Sequence, residues 1–218
     1  TATGKILPLA GFALASVAAW AYLLTAGMAL VMNVMTMPDG STMAMPVDWT
    51  PAYTLRIFIM WAIMMLAMML PSAMPATAQL AGPAVVRFAA GYVTAWVLFA
   101  VASTAMQWSL SAAGLLSLDM ALRNGVAAGA LLVAIGLYQF TPLMARDLER
   151  CYRGKSYVVS CLRSCAPLML VLFVVGIMNV AWWIALALLV LGEKAAVRGV
   201  WLARAGGVAL VIWGILRL

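Results

Sequence analysis

Sulfur is the chemistry-bearing element that this sequence holds in quantity: three cysteines, Cys151, Cys161 and Cys165, and 17 methionines. Cys161 and Cys165 are four positions apart, so a helix would place both on one face and offer two thiolates. Thiolates and thioethers are soft ligands that suit Cu(I). C-x3-C on a helix lacks the turn of a zinc knuckle, however, and buried cysteine also serves as a small apolar filler. Spacing alone therefore favours packing for this pair.

The methionines fall into two sets. Met60, Met64 and Met68 recur at i, i+4, with Met65 and Met69 alongside. They cover about half of a helix circumference, and adaptable packing explains them better than ligation does. Met28, Met32, Met35, Met37, Met43 and Met45 end one apolar stretch and fill the loop behind it. Water-exposed loops do not usually collect thioethers, so metal contact and packing weigh equally there.

Absences bound the function further. The chain contains no histidine, which removes the commonest general base and the commonest ligand for zinc, copper and haem. Its acids, Asp39, Asp48, Asp119, Asp147, Glu149 and Glu193, fall in loops or near helix ends. A proton or sodium pump usually keeps a carboxylate mid-membrane, and none is expected here. No phosphate-cradling glycine loop and no dinucleotide fingerprint appears, so the protein is not expected to be an enzyme.

The elements that must position these residues are apolar. Hydrophobic residues make up 67% of the 218 and charged residues 9%, against about 25% charged in soluble domains. Such a chain suits a bilayer, where the backbone must satisfy its own hydrogen bonds as helices or a closed barrel. Long unbroken apolar runs select helices. The expected fold is all-α: a polytopic integral membrane helical bundle of six or seven transmembrane helices, forming a single transmembrane domain over residues 1–218. The net charge of +7 lies in short loops beside apolar spans, where the positive-inside rule accounts for it without nucleic acid.

The first span is placed near residues 6–31, too long for a signal-peptide core and so read as retained. The second covers roughly 55–70 and is expected to end at Pro71 and Pro75, because prolines this close stop or kink a helix. The third and fourth are placed near 88–113 and 126–144, and the last near 200–216. Residues 162–192 read as one long tilted helix or as two helices turning at Asn179. Splitting there moves Lys194, Arg198 and Arg204 to the inside, which strengthens the charge bias, and Trp182-Trp183 suits an interface. Seven spans are therefore preferred to six.

The same bias sets the N-terminus and the Arg146–Arg163 stretch in the cytoplasm of a bacterial inner membrane, with the Met32–Thr54 loop outside. All three cysteines then face a reducing compartment, so no structural disulfide is expected. Gln107, Gln139 and Asn179 are candidates for interhelical hydrogen bonds, and Glu193-Lys194 for a local ion pair.

Several segments together resemble an uncharacterised bacterial family described as predicted metal-binding integral membrane proteins. The most specific is the run Met60-Trp61-Ala62-Ile63-Met64-Met65-Leu66-Ala67-Met68-Met69-Leu70-Pro71-Ser72-Ala73-Met74-Pro75. Tyr138-Gln139-Phe140-Thr141-Pro142-Leu143, Cys161-Leu162-Arg163-Ser164-Cys165, Gly176-Ile177-Met178-Asn179 and Glu193-Lys194 are similar to further family segments. The resemblance covers residues 53–214. It departs at Asp147 and Ser164, where relatives often carry cysteine, and at Met144, where they often carry a basic residue.

What the resemblance implies is a protein that handles a soft metal, with copper as Cu(I) first. Its candidate ligands are Cys151, Cys161, Cys165 and Asp147 inside, Met35, Met37, Met43 and Met45 outside, and Met64 and Met68 within the membrane. Zinc would need the three cysteines and Asp147 in a tetrahedral arrangement. The alternative reading is a non-catalytic accessory subunit packing against a larger membrane protein complex. A weaker third reading is a transporter whose path passes Asn179 and the Pro71–Pro75 break.

Overall fold

The structure, a computed structural model, describes residues 3–27, 34–36, 42–44, 48–117, 120–152, 157–196 and 199–218. Helices account for nearly all of them. Helix α1 (Thr3–Tyr22) continues into a π-helical turn, Leu23–Gly27. Helices α2 (Pro51–Thr77) and α3 (Pro83–Ala112) follow, then α4 (Gly125–Tyr138) and α5 (Pro142–Tyr152). The last third holds α6 (Tyr157–Met169), the short α7 (Leu172–Val175), α8 (Val180–Ala195) and α9 (Gly199–Ile215). One departure from the all-α expectation is a small antiparallel pair, β1 (Val34–Thr36) and β2 (Thr42–Ala44), inside the methionine-rich loop.

Pro51–Thr77, Pro83–Ala112 and Tyr157–Val175 are each long and apolar enough to cross a membrane. The bent pair α4–α5, at 63°, would make a fourth if counted as one span, while Leu9–Thr25 and Gly199–Ile215 are apolar but shorter. Length and composition thus support three or four spans among the described residues, fewer than the six or seven expected. In the last third, the break at Gly176–Asn179 leaves α8 with 16 residues, shorter than a bilayer core requires.

Helix α2 corrects the expected stop at the two prolines. It is capped by Thr50, whose side chain accepts from the Tyr53 N–H, and it starts on Pro51, where a missing N–H costs nothing. It then runs through both Pro71 and Pro75 to Thr77. Pro71 has no N–H to give the Ala67 carbonyl four residues back. Helix α1 supplies the replacements: Ser16 Oγ donates to that carbonyl at 3.0 Å and Trp20 Nε1 at 3.1 Å. Side chains of a neighbouring helix thereby hold a helix that its own sequence would break.

Helices α4 and α9 meet backbone to backbone. A Cβ on Gly136 would lie 2.7 Å from the Gly207 carbonyl oxygen, and one on Gly214 would lie 2.7 Å from that of Gly129. In lipid such close approach supplies the attraction that water would otherwise drive. The break expected at Asn179 spans Gly176 to Asn179: Gly176 takes φ 95°, and Asn179 begins α8 in an extended conformation. Trp183 Nε1 closes the corner on the Ile177 carbonyl at 2.7 Å. Gln107 makes an interhelical bond of the expected kind, accepting from Trp61 Nε1 at 2.7 Å, whereas the buried Gln139 amide finds no hydrogen-bond partner among the described residues.

Two outcomes follow for stability in mild detergent. Ser16→Ala with Trp20→Phe strands the Ala67 carbonyl and should cost about 1–3 kcal/mol, read as a drop in thermal unfolding temperature. Pro71→Ala in that background returns an N–H to the carbonyl and should recover most of the loss; no recovery would refute the pairing. Gly136→Leu forces α4 from α9 and should destabilise by about 1–3 kcal/mol or more, whereas Gly91→Leu, with open space around it, should be neutral.

Candidate metal centre

Helix α6 turns one face inward, burying Tyr157, Ser160, Cys161, Ser164, Cys165 and Leu168 at helical spacing. Cys161 and Cys165 are both 0% exposed and share that face, as their spacing requires. Cys165 Sγ lies 3.6 Å from Ser164 Oγ. Ser164 in turn donates to the Cys161 carbonyl at 3.1 Å, which fixes the turn between the two thiols. All three cysteines are free.

The Cys161 sulfur is the hub of a cluster drawn from four helices. Lys194, buried near the end of α8, donates from Nζ to Cys161 Sγ. The same ammonium lies 5.4 Å from the centroid of the Tyr157 ring, a cation–π contact. Tyr92 of α3 sets its hydroxyl 3.5 Å from Cys161 Sγ and donates to the Met69 carbonyl of α2 at 2.8 Å. Tyr157 donates its hydroxyl to the Ser72 carbonyl, one residue beyond Pro71. Phe88 closes the wall, 5.8 Å from Tyr92 and 5.5 Å from Tyr157 between ring centroids.

An opening leads to this cluster. Ser72, Pro75, Gln79, Cys151, Tyr157 and Lys194 line a cavity of about 430 Å³. Cys151, on α5, therefore shares a space with Lys194 and the turn after Pro71.

The remaining candidates are placed differently. Asp147 is buried but is held by arginines, with Arg163 Nε 3.3 Å and Arg150 Nη1 3.8 Å from its carboxylate. Its negative charge is thereby spent on α5–α6 packing, and no group of three or more Cys, Asp or Glu side chains fit to hold a metal occurs among the described residues. The tetrahedral zinc set of Cys151, Cys161, Cys165 and Asp147 is therefore not assembled. Met64 and Met68 are buried within the packed interior together with Met60, Met65 and Met69. Met35 and Met43 are register partners in the backbone of the β1–β2 pair. Met28, Met32, Met37 and Met45 lie outside the described residues.

Sequence reasoning missed Lys194, Tyr92 and Tyr157. It expected Lys194 to pair with Glu193, but the ammonium donates to Cys161, and neither Glu193 oxygen has a hydrogen-bond partner among the described residues. Glu193 instead lines a separate cavity of about 310 Å³ with Arg146, Glu149 and Gly199. One signal was available: a lysine in a 16-residue helix as apolar as Val180–Ala195 needs a buried partner.

The chain matches the sequence profile of the PpoB2 family, described as a copper chaperone, over residues 58–159 and 152–217. These stretches include the Pro71–Pro75 turn, all three cysteines and Lys194. No curated protein and no solved structure matches the chain. The profile match covers well over half of the sequence, and the chain belongs to the PpoB2 copper chaperone family.

Proposed function

We propose that this protein is an integral membrane carrier of Cu(I), with Cys161 and Cys165 as the ligands of its cargo and no covalent chemistry of its own. Copper handling is the family's business, and the observation that carries the assignment of ligands is the cysteine pair itself. Two buried thiols on one face of α6 offer soft sulfur to a soft monovalent ion. They sit behind a cavity that exposes a third thiol, Cys151, at its wall. Chaperones must release what they bind, and a third sulfur near two ligands allows copper to move by exchange rather than by dissociation.

In this reading the apolar helices sit in a bacterial inner membrane with the N-terminus and the cysteine end on the cytoplasmic side. The short helices α1, α8 and α9 complete six or seven crossings alongside the longer ones. The methionine segment, with Met35 opposite Met43, gathers Cu(I) on the outer side, helped by Met37 and Met45. Met64 and Met68 serve the interior between. A second reading, an accessory subunit seated on a larger membrane complex, is supported by an open apolar groove of about 660 Å³ between α2 and α3, lined by Trp49, Leu55, Phe58, Val101 and Trp108.

Cu(I) titration of the full chain in mild detergent, under reducing and oxygen-free conditions, tests the ligands. Cys161→Ser with Cys165→Ser should abolish the tightest binding, and a variant with Met35, Met37, Met43 and Met45 changed to Leu should keep it. Thiol ligation releases protons, so the affinity of that tightest site should fall as pH is lowered, whereas thioether ligation is insensitive to pH. Parental binding in the double serine variant would overturn the assignment. Reporter fusions at Gly40 and Gly154 should report opposite sides of the membrane; the same side for both would refute the topology.

A further inference from the structure

We infer that Lys194 makes the cysteine pair selective for valence, so that the site accepts a monovalent soft cation and resists a divalent one. This rests on the reading of Cys161 and Cys165 as ligands. Two thiolates and one ammonium sum to a single negative charge. A +1 ion brings the buried set to neutrality. A +2 ion leaves an unpaired positive charge, and uncompensated charge in a dry interior is what burial penalises most.

The other polar groups nearby are neutral, ion-paired or placed at the second cavity. From α3 and α6, Tyr92 and Tyr157 face the cluster as phenols donating to the carbonyls of Met69 and Ser72. From α2, Ser72 is a hydroxyl donating to the Met69 carbonyl at 2.8 Å. From α5, Asp147 is matched by Arg163 and Arg150. Glu193 precedes Lys194 on the same helix but lines the other cavity, together with Arg146 and Glu149. The ammonium itself is anchored on both sides, by Cys161 Sγ and by the Tyr157 ring. Lys194 is therefore a positioning and charge-setting residue that touches a ligand sulfur without occupying a metal position.

The test measures Cu(I), Ag(I), Zn(II) and Co(II) binding to the full chain in mild detergent by competition with chelators of known affinity. Lys194→Met should lower Cu(I) and Ag(I) affinity about 10- to 100-fold, the usual range for loss of a group that supports metal ligands. It should also raise Zn(II) and Co(II) affinity and bring out a thiolate-to-cobalt charge-transfer band that the parent lacks. Lys194→Arg should restore the monovalent preference, and Glu193→Gln should leave it unchanged. Lys194→Gln repeats the experiment with a polar neutral side chain should the methionine variant not fold. An unchanged ratio of monovalent to divalent affinity in folded Lys194→Met or Lys194→Gln overturns the inference, even where Cys161→Ser with Cys165→Ser abolishes Cu(I) binding. Parental Cu(I) binding in that double serine variant removes the ligand assignment, and the inference with it.

Discussion

A buried ammonium on a buried sulfur governs this structure. Lys194 is 5% exposed, and Cys161 0%. An ammonium in such surroundings is tolerated only beside acceptors or electron-rich faces, and two are present, the Cys161 sulfur and the Tyr157 ring. Because α8 and α6 are separated by the break at Gly176–Asn179, this contact also closes the hairpin they form. Moving Lys194 by one position would turn its side chain about 100° around the helix and strand both the charge and the thiol.

The proline turn of α2 belongs to the same network. Prolines in a spanning helix survive only where other groups satisfy the freed backbone. Ser16 and Trp20 serve Ala67 from one side, while Tyr92 and Tyr157 reach Met69 and Ser72 from the other. Those two tyrosines are also the ones that touch Cys161 and Lys194. The two phenols thus tie the backbone of α2 to the sulfur and the ammonium.

Much of the architecture was legible, and the rest was not for definite reasons. Apolar runs marked most of the helices, because composition and length are local properties. The shared face of Cys161 and Cys165 followed from their spacing alone. The fate of Pro71 was not legible, since the donors that rescue Ala67 lie about fifty residues upstream, on α1. The turn before Asn179 was placed nearly right for want of noticing Gly176, whose φ of 95° makes the corner possible. Asp147 looked like an oxygen ligand because spacing cannot show that Arg163, on the next helix, already holds it. Lys194 was assigned to its neighbour Glu193 because adjacency in sequence was mistaken for adjacency in space; consecutive helical residues diverge.

The position of Cys151 decides how a copper carrier of this design would exchange its cargo. A site sealed on all sides would hold Cu(I) firmly and release it slowly, because both sulfurs would have to let go before another ligand arrived. Cys151 shares a cavity with Lys194 and Tyr157, the two residues that flank the Cys161 sulfur. A cavity-side thiol of that kind would offer an ion a third sulfur between the pair and the outside. The ammonium favours the same path, since it stays beside the Cys161 sulfur and balances whichever two thiolates hold the ion. The protein would thereby combine soft, charge-matched retention with a route for hand-over, and both depend on α5 and α6 packing closely enough for Asp147 to meet Arg163.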